Sequence, residues 1–245
     1  MTVKQYLLDR MAKGTIHMAL IDPDKQSPDE AAAIALRLKN AGTDAIMIGG
    51  STDVTQEKLD ATALAIKGAV DLPTIYFPSA ANAMSKHIDA IYFMSMVNST
   101  DVRMIIGEQV KGSLYVKKLG IEPISMGYVI VEPGMKVGEV GNANVVKRDD
   151  PQTAAAYALT AEYFGMSFVY LEAGSGADRP VPPEMITSVK KMISVPLIIG
   201  GGIRTAKDAE AARKAGADAI VTGTFIERCS DSSTLKDVVS AAKGL

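Results

Sequence analysis

Ala41-Gly-Thr-Asp-Ala-Ile-Met-Ile-Gly-Gly50 returns near the other end of the chain as Ala215-Gly-Ala-Asp-Ala-Ile-Val-Thr-Gly-Thr224, identical at six of ten positions. Each copy reads as a helix end, a glycine cap, an aspartate and a short apolar strand. Outward from these two copies, short apolar runs alternate with longer amphipathic or alanine-rich stretches over the whole sequence. The runs predict strands near 16–22, 44–50, 72–77, 90–96, 124–131, 167–172, 196–201 and 218–223. Helix starts fall between them: Ser27-Pro28-Asp29-Glu30 combines a capping box with proline in the first turn, and Asp150-Pro151 and Thr205 through its Asp208 offer further caps. Strand–helix alternation implies parallel strands joined by right-handed crossovers. An open doubly wound sheet repeats the same unit. Eight strands favour closure, so the expected fold is a single α/β domain over 1–245, a (β/α)8 TIM barrel.

One connection breaks the pattern. The segment 78–89 is short for a helix with two loops. The third helix is therefore expected to be shortened or replaced, leaving a gap beside Tyr76, Phe77, Ile91, Phe93 and Met94, unless a short helix closes the ring.

Composition limits what such a barrel could do. The 245 residues carry 26 Lys plus Arg against 28 Asp plus Glu, so no overall charge draws the chain to nucleic acid or to an anionic membrane, and any phosphate must be bound locally. A single cysteine, Cys229, excludes an intrachain disulfide and gives no zinc spacing. The N-terminus lacks the apolar core of a signal peptide, and no run is long enough to span a bilayer. The expectation is a cytoplasmic protein with no nucleic-acid partner and at most peripheral membrane contact.

In a TIM barrel the chemistry lies at the C-terminal strand ends. Strand seven ends Ile199-Gly200-Gly201-Gly202-Ile203-Arg204-Thr205 and strand eight ends Thr222-Gly223-Thr224. Glycines there expose backbone N–H groups, and the following helix adds its positive end, which together suit a phosphate. Strand six reads Ser167-Phe-Val-Tyr170-Leu171-Glu172-Ala173-Gly174-Ser175-Gly176. Its period of two puts Phe168, Tyr170 and Glu172 on one face. A carboxylate aimed into the mouth could orient a substrate hydroxyl and take its proton. The structural alternative is a glutamate paired with Arg204. Gly174 and Gly176 would add backbone donors. Asp22, at the end of strand one, is the stronger candidate ligand for Mg2+, with Asp24 and Asp53 as loop or capping residues. His17, early in strand one, and His87, in the short connection, are expected to be structural or exposed, and Cys229 lacks an activating base.

These motifs, taken in order, closely resemble the geranylgeranylglyceryl phosphate synthase family, prenyltransferases that make the first ether bond of archaeal membrane lipids. The likeness covers nearly the whole chain and rests on Leu20-Ile-Asp22-Pro-Asp24, the strand-two run ending Gly49-Gly50-Ser51-Thr52, Tyr170 through Gly176, Gly200-Gly-Gly-Ile-Arg204 and Gly223-Thr224. The resemblance implies that Asp22 and Ser51 are the Mg2+ positions. It implies that Tyr170, Leu171, Glu172, Ala173, Gly174, Ser175, Gly176, Gly201, Gly202, Gly223 and Thr224 surround sn-glycerol 1-phosphate. It further implies a replaced third helix, an opening for a prenyl tail, and a homo-oligomer. Leu20 stands where the bacterial heptaprenyl branch has lysine, which matches the archaeal branch.

The implied reaction joins the 3-hydroxyl of sn-glycerol 1-phosphate to C1 of geranylgeranyl diphosphate and releases diphosphate. Glu172 is the expected base and Mg2+ the expected Lewis acid. Two other functions fit the phosphate clamp, which many barrels share. One is a sugar-phosphate isomerase or lyase using Asp22 and Glu172 as acid and base. The other is a non-catalytic glycerol phosphate-binding protein.

Overall fold

A computed structural model of the chain describes residues 1–50 and 54–245. The eight strands close into a parallel barrel in sequence order: β1 (Ile16–Ile21), β2 (Ala45–Ile48), β3 (Thr74–Tyr76), β4 (Ala90–Met96), β5 (Glu122–Ile130), β6 (Phe168–Glu172), β7 (Leu197–Gly200) and β8 (Ala219–Thr222), with β8 paired to β1. Every expected strand is present, and the two copies of the internal repeat supply β2 and β8.

Helix α1 (Val3–Met11) precedes the barrel and closes its N-terminal end. Leu7 is fully buried among the lumen residues Met18, Met47 and Met126, and the Val3 and Lys4 amides donate to the Glu122 carboxylate at 2.6 and 3.0 Å. Leu7→Ala would leave a cavity costing roughly 2–5 kcal/mol. Mixed polarity concealed this plug in the sequence, because Leu7 is its one buried residue, while Val3, Tyr6, Leu8 and Met11 pack against the lumen only in part.

Outside the strands run α2 (Pro28–Ala41), α3 (Gln56–Ala69), α4 (Glu108–Leu119), α5 (Met135–Val140), α6 (Pro151–Tyr163), α7 (Pro183–Met192), α8 (Ala206–Lys214), the short α9 (Thr224–Arg228) and α10 (Ser232–Lys243). The Ser27–Glu30 and Thr205–Asp208 capping boxes both form, and Asp150 caps α6 through the Thr153 amide. Residues 77–89, between β3 and β4, contain no helix. The outer ring is open there, as the short connection implied, and α4, entered through a π-helical turn at Arg103–Gly107, stands at the edge of the opening. A π turn widens the helix and often accompanies a functional site.

Strand alternation divides the core. Inward side chains include the small Ala45 of β2 and Ala219 of β8 beside Met47 and Val221 of the same strands, and the large Tyr92, Tyr128, Phe168 and Tyr170 of β4 to β6. Outward side chains form two clusters, one against α6 to α8 and one against α2, α3 and α10. No described helix is long and apolar enough to cross a membrane.

Candidate active site

Strand β6 places Tyr170 and Glu172 on the lumen face, as its period requires, while Leu171 and Ala173 turn outward into the cluster beneath the helices. Glu172 is 7% exposed. Burial raises its carboxyl above the ordinary glutamate range, against the pull of hydrogen bonds from the Tyr170 hydroxyl and the Gly174 amide. The Gly174 bond is 2.6 Å long. No cation among the described residues pairs with Glu172. Arg204 instead donates to the Gly176 carbonyl at 2.7 Å, tying the loop after β7 to the loop after β6.

The triglycine after β7 is what lets these side chains fit. A Cβ at Gly200 would overlap the Tyr170 hydroxyl, and one at Gly201 would overlap a Glu172 carboxylate oxygen. Gly201 (φ +78°) and Gly202 (φ +73°) also take left-handed backbone that side chains resist. Gly200 opens the triglycine but falls outside the residues expected around the ligand. Its role depends on a neighbouring strand, which a reading of β7 by itself does not reveal.

Gly176, Gly201, Gly202, Gly223 and Thr224 line one small cavity with Tyr170, Glu172 and Ser175. Ser175 and Thr224 close it from opposite sides, their hydroxyls 2.8 Å apart. One expectation changes. The Gly174 amide is engaged by Glu172, so it is not a free donor for a ligand. Ahead of α8, the Arg204 and Thr205 amides donate to the Asp208 carboxylate at 3.2 and 3.0 Å. The cavity is lined by the loops after β6 and β7 and by the start of α9 at Thr224. Of the eleven residues expected around the ligand, eight line this cavity, while Leu171, Ala173 and Gly174 support it from behind.

Across the mouth, Asp22 ends β1. It is 9% exposed, its carboxyl is raised by burial, and it accepts from the Asp24 amide at 3.1 Å. Lys25 stands 3.6 Å from it and 2.8 Å from Glu227 of α9. Asp24 pairs with Lys58. Ser51 and Asp53 lie outside the described residues. No cluster of three or more His, Cys, Asp or Glu that could hold a metal occurs among the described residues. A single carboxylate with hydroxyl and phosphate oxygens still suits Mg2+, which keeps several waters and commonly takes substrate phosphates as ligands.

A long apolar groove leaves this mouth through the opening beside β3. Phe77, Tyr92, Met94 and Tyr128 line it together with Met84, Gly112 and Val116 and with Asp22 at the mouth, while Leu20, Glu172, Ser175 and Gly223 border both spaces. The rings of Phe77 and Tyr128, which line the groove, meet the Tyr170 ring of the small cavity, with the three centroid distances at 5.2 to 5.8 Å. His17 is structural, as expected: it is fully buried, lies between the Thr43 and Thr222 hydroxyls at 3.0 and 2.9 Å, and is pushed down to about 4 by burial. His87 and Cys229 do not line either space.

A (β/α)8 barrel with a glycine-lined cavity beside an apolar groove is thus the class that fold and site define. The chain matches the model of the PcrB family over residues 9–242. It is 52% identical to the geranylgeranylglyceryl phosphate synthase of Methanococcoides burtonii, over 99% of this chain and 100% of that one. Among solved structures, the Thermoplasma volcanium enzyme superposes with a TM-score of 0.96 at 45% identity, covering 100% and 99% of the two chains. The Thermoplasma acidophilum (S)-3-O-geranylgeranylglyceryl phosphate synthase, in complex with its substrate sn-glycerol-1-phosphate, gives 0.97 at 44% identity over the whole of both. The protein belongs to the PcrB family, among its geranylgeranylglyceryl phosphate synthases.

Proposed function

We propose that the protein transfers the prenyl group of geranylgeranyl diphosphate to the 3-hydroxyl of sn-glycerol 1-phosphate, releasing diphosphate. The observation that carries this reading is Glu172, which borders both the glycine cradle and the apolar groove. A nucleophile held by its phosphate and an electrophile held by its tail would meet at that carboxylate. An isomerase or lyase of a small sugar phosphate has no use for the groove, and the relative that carries sn-glycerol-1-phosphate is a synthase of this family.

The cradle of Gly176, Gly201, Gly202, Gly223 and Thr224 binds the phosphate and fixes the glycerol, removing the entropic cost of bringing two substrates together. Glu172, with its raised affinity for protons, orients the 3-hydroxyl and accepts its proton as the ether bond forms. The groove excludes water, and its Tyr128 and Phe77 rings offer π-faces to the allylic cation that develops as the C1–O bond to diphosphate breaks. Asp22 and Ser51 would hold Mg2+, which when bound supplies charge neutralisation at the departing diphosphate. The exposed apolar run Ile106, Val110, Leu114 and Tyr115 on and before α4 supports a homo-oligomer.

The test supplies labelled sn-glycerol 1-phosphate with C15, C20, C25 and C35 diphosphates, with and without Mg2+. Lipid-soluble product, greatest with C20 and dependent on Mg2+, is expected. Absence of product from every tube would sink the transferase reading.

A further inference from the structure

The groove mouth must receive a polyanion, yet its described charged lining is Asp22, Lys25, Glu108, Glu172 and Glu227. Four of these are carboxylates. Glu108 lies on α4 and is occupied by Lys111 at 2.8 Å. Glu172 belongs to the nucleophile. That leaves Asp22, Lys25 and Glu227 together at the end of β1, with Lys25 as the one cation among the described lining residues.

Lys25 is positioned by both flanking carboxylates. Its Nζ lies 2.8 Å from Glu227 Oε1 and 3.6 Å from Asp22 Oδ2, and its side chain is 45% exposed. An ammonium has three N–H donors, of which Glu227 engages one, while Asp22 at 3.6 Å is an ion-pair contact without a hydrogen bond. A phosphate oxygen entering beside Asp22 would meet a donor that remains. Glu227 sits in α9, which begins at Thr224 of the glycerol phosphate cradle, so the Lys25–Glu227 pair spans from the electrophile side of the mouth to the nucleophile side.

We propose that Lys25 binds the diphosphate of the prenyl substrate directly and that Glu227 holds it in place to do so. This deepens the prenyltransferase reading and rests on it. Lys25 neutralises part of the charge that accumulates on the leaving diphosphate as the C1–O bond breaks, and the electron pair of that bond leaves with the diphosphate. Glu227 acts only through Lys25 and is a positioning residue.

The experiment titrates inorganic diphosphate, and separately sn-glycerol 1-phosphate, into the full chain by calorimetry, each with and without Mg2+. For Lys25→Met, diphosphate affinity should fall about 10- to 100-fold, the range for a lost hydrogen bond between charged groups. Lys25→Arg should retain affinity within a few-fold, and Glu227→Gln should lose an intermediate amount. All three should bind sn-glycerol 1-phosphate as the parent does, which also verifies that the mouth is folded. Unchanged diphosphate affinity in Lys25→Met overturns the proposal, as does a parallel loss of both ligands or a parent chain that fails to bind diphosphate. Product formation by the parent chain separately decides the prenyltransferase reading, so the two failures are distinguishable.

Discussion

The two sides of the barrel mouth solve opposite problems with the same strand-end positions. On the β6 to β8 side the loops interlock: Ser175 meets Thr224, Arg204 holds the Gly176 carbonyl, and Gly174 caps Glu172. There is no space for an added methyl at Gly201 or Gly202, whose Cβ positions fall on the Glu172 carboxylate and on the Arg179 backbone. On the β3 to β4 side a helix is missing, and the groove is walled by Met84, Met94 and Met96, adaptable side chains that fill irregular space. A small, rigid phosphate needs fixed donors, whereas a long, flexible tail needs only an apolar channel. Substitutions should therefore act sharply and on one substrate in the first region, and gradually and on the other substrate in the second.

The largest effect is expected where the regions meet. Glu172→Gln should lower turnover about 100- to 10,000-fold while leaving sn-glycerol 1-phosphate affinity within a few-fold, as measured by rapid quench alongside calorimetry. With Glu172 as the proposed base, turnover also depends on the ionised carboxylate. Because burial raises its proton affinity in the fold, activity should fail on acidification at a pH above the ordinary glutamate range. That acid limb should be absent from the residual activity of the Gln variant. Loss of sn-glycerol 1-phosphate binding in parallel would make Glu172 a structural part of the cradle and erase the division of labour.

Gly201→Ala comes next. Its φ of +78° and the overlap with Glu172 should together cost on the order of 1–3 kcal/mol, displacing the carboxylate and raising the KM for sn-glycerol 1-phosphate about 10-fold or more. The KM for the prenyl diphosphate should stay within a few-fold. Equal changes in both would break the comparison.

What the sequence revealed of this mouth follows the same divide. The cradle was legible because consecutive glycines at a strand end bring backbone N–H groups close to whatever sits in the mouth, and because strand periodicity fixed which way Tyr170 and Glu172 point. Leu171, Ala173 and Gly174 share the motif without sharing the cavity: alternation turns the first two outward, and Glu172 takes the amide of the third. The opening was legible only as a deficit, a connection too short for its helix. What fills the opening was not, since Gly112 and Val116 come from α4, and no local pattern says that this helix would border it. The Lys25–Glu227 contact joins elements 202 residues apart and left no local signal either.

On the groove side, Gly112→Phe should shift selectivity without touching the nucleophile. A Cβ at Gly112 would stand 3.3 Å from Met84 Cε and 3.6 Å from Ala81 Cβ, so a small side chain is tolerated and only a large one blocks the channel. The ratio of kcat/KM for C20 over C15 diphosphate should fall about 10-fold, the scale of a few displaced methylenes. The KM for sn-glycerol 1-phosphate should not move. A uniform loss of activity with every chain length would place the tail elsewhere.

The smallest effect on catalysis is expected one helix face away. Ile106, Val110 and Leu114 recur every four residues along the outer side of the π turn and α4, and Leu114 is 79% exposed. Gly112 and Val116 of the same helix line the groove on its inner side. If the outer stripe joins copies of the chain, Leu114→Lys should lower the molar mass seen by light scattering and shift kcat by no more than a few-fold, because the inner face and the cradle are untouched. Should the mass fall and C20 selectivity fall with it, packing between copies would be what holds α4 against the opening. The groove would then owe its width to the assembly, while the cradle remains a property of the single chain.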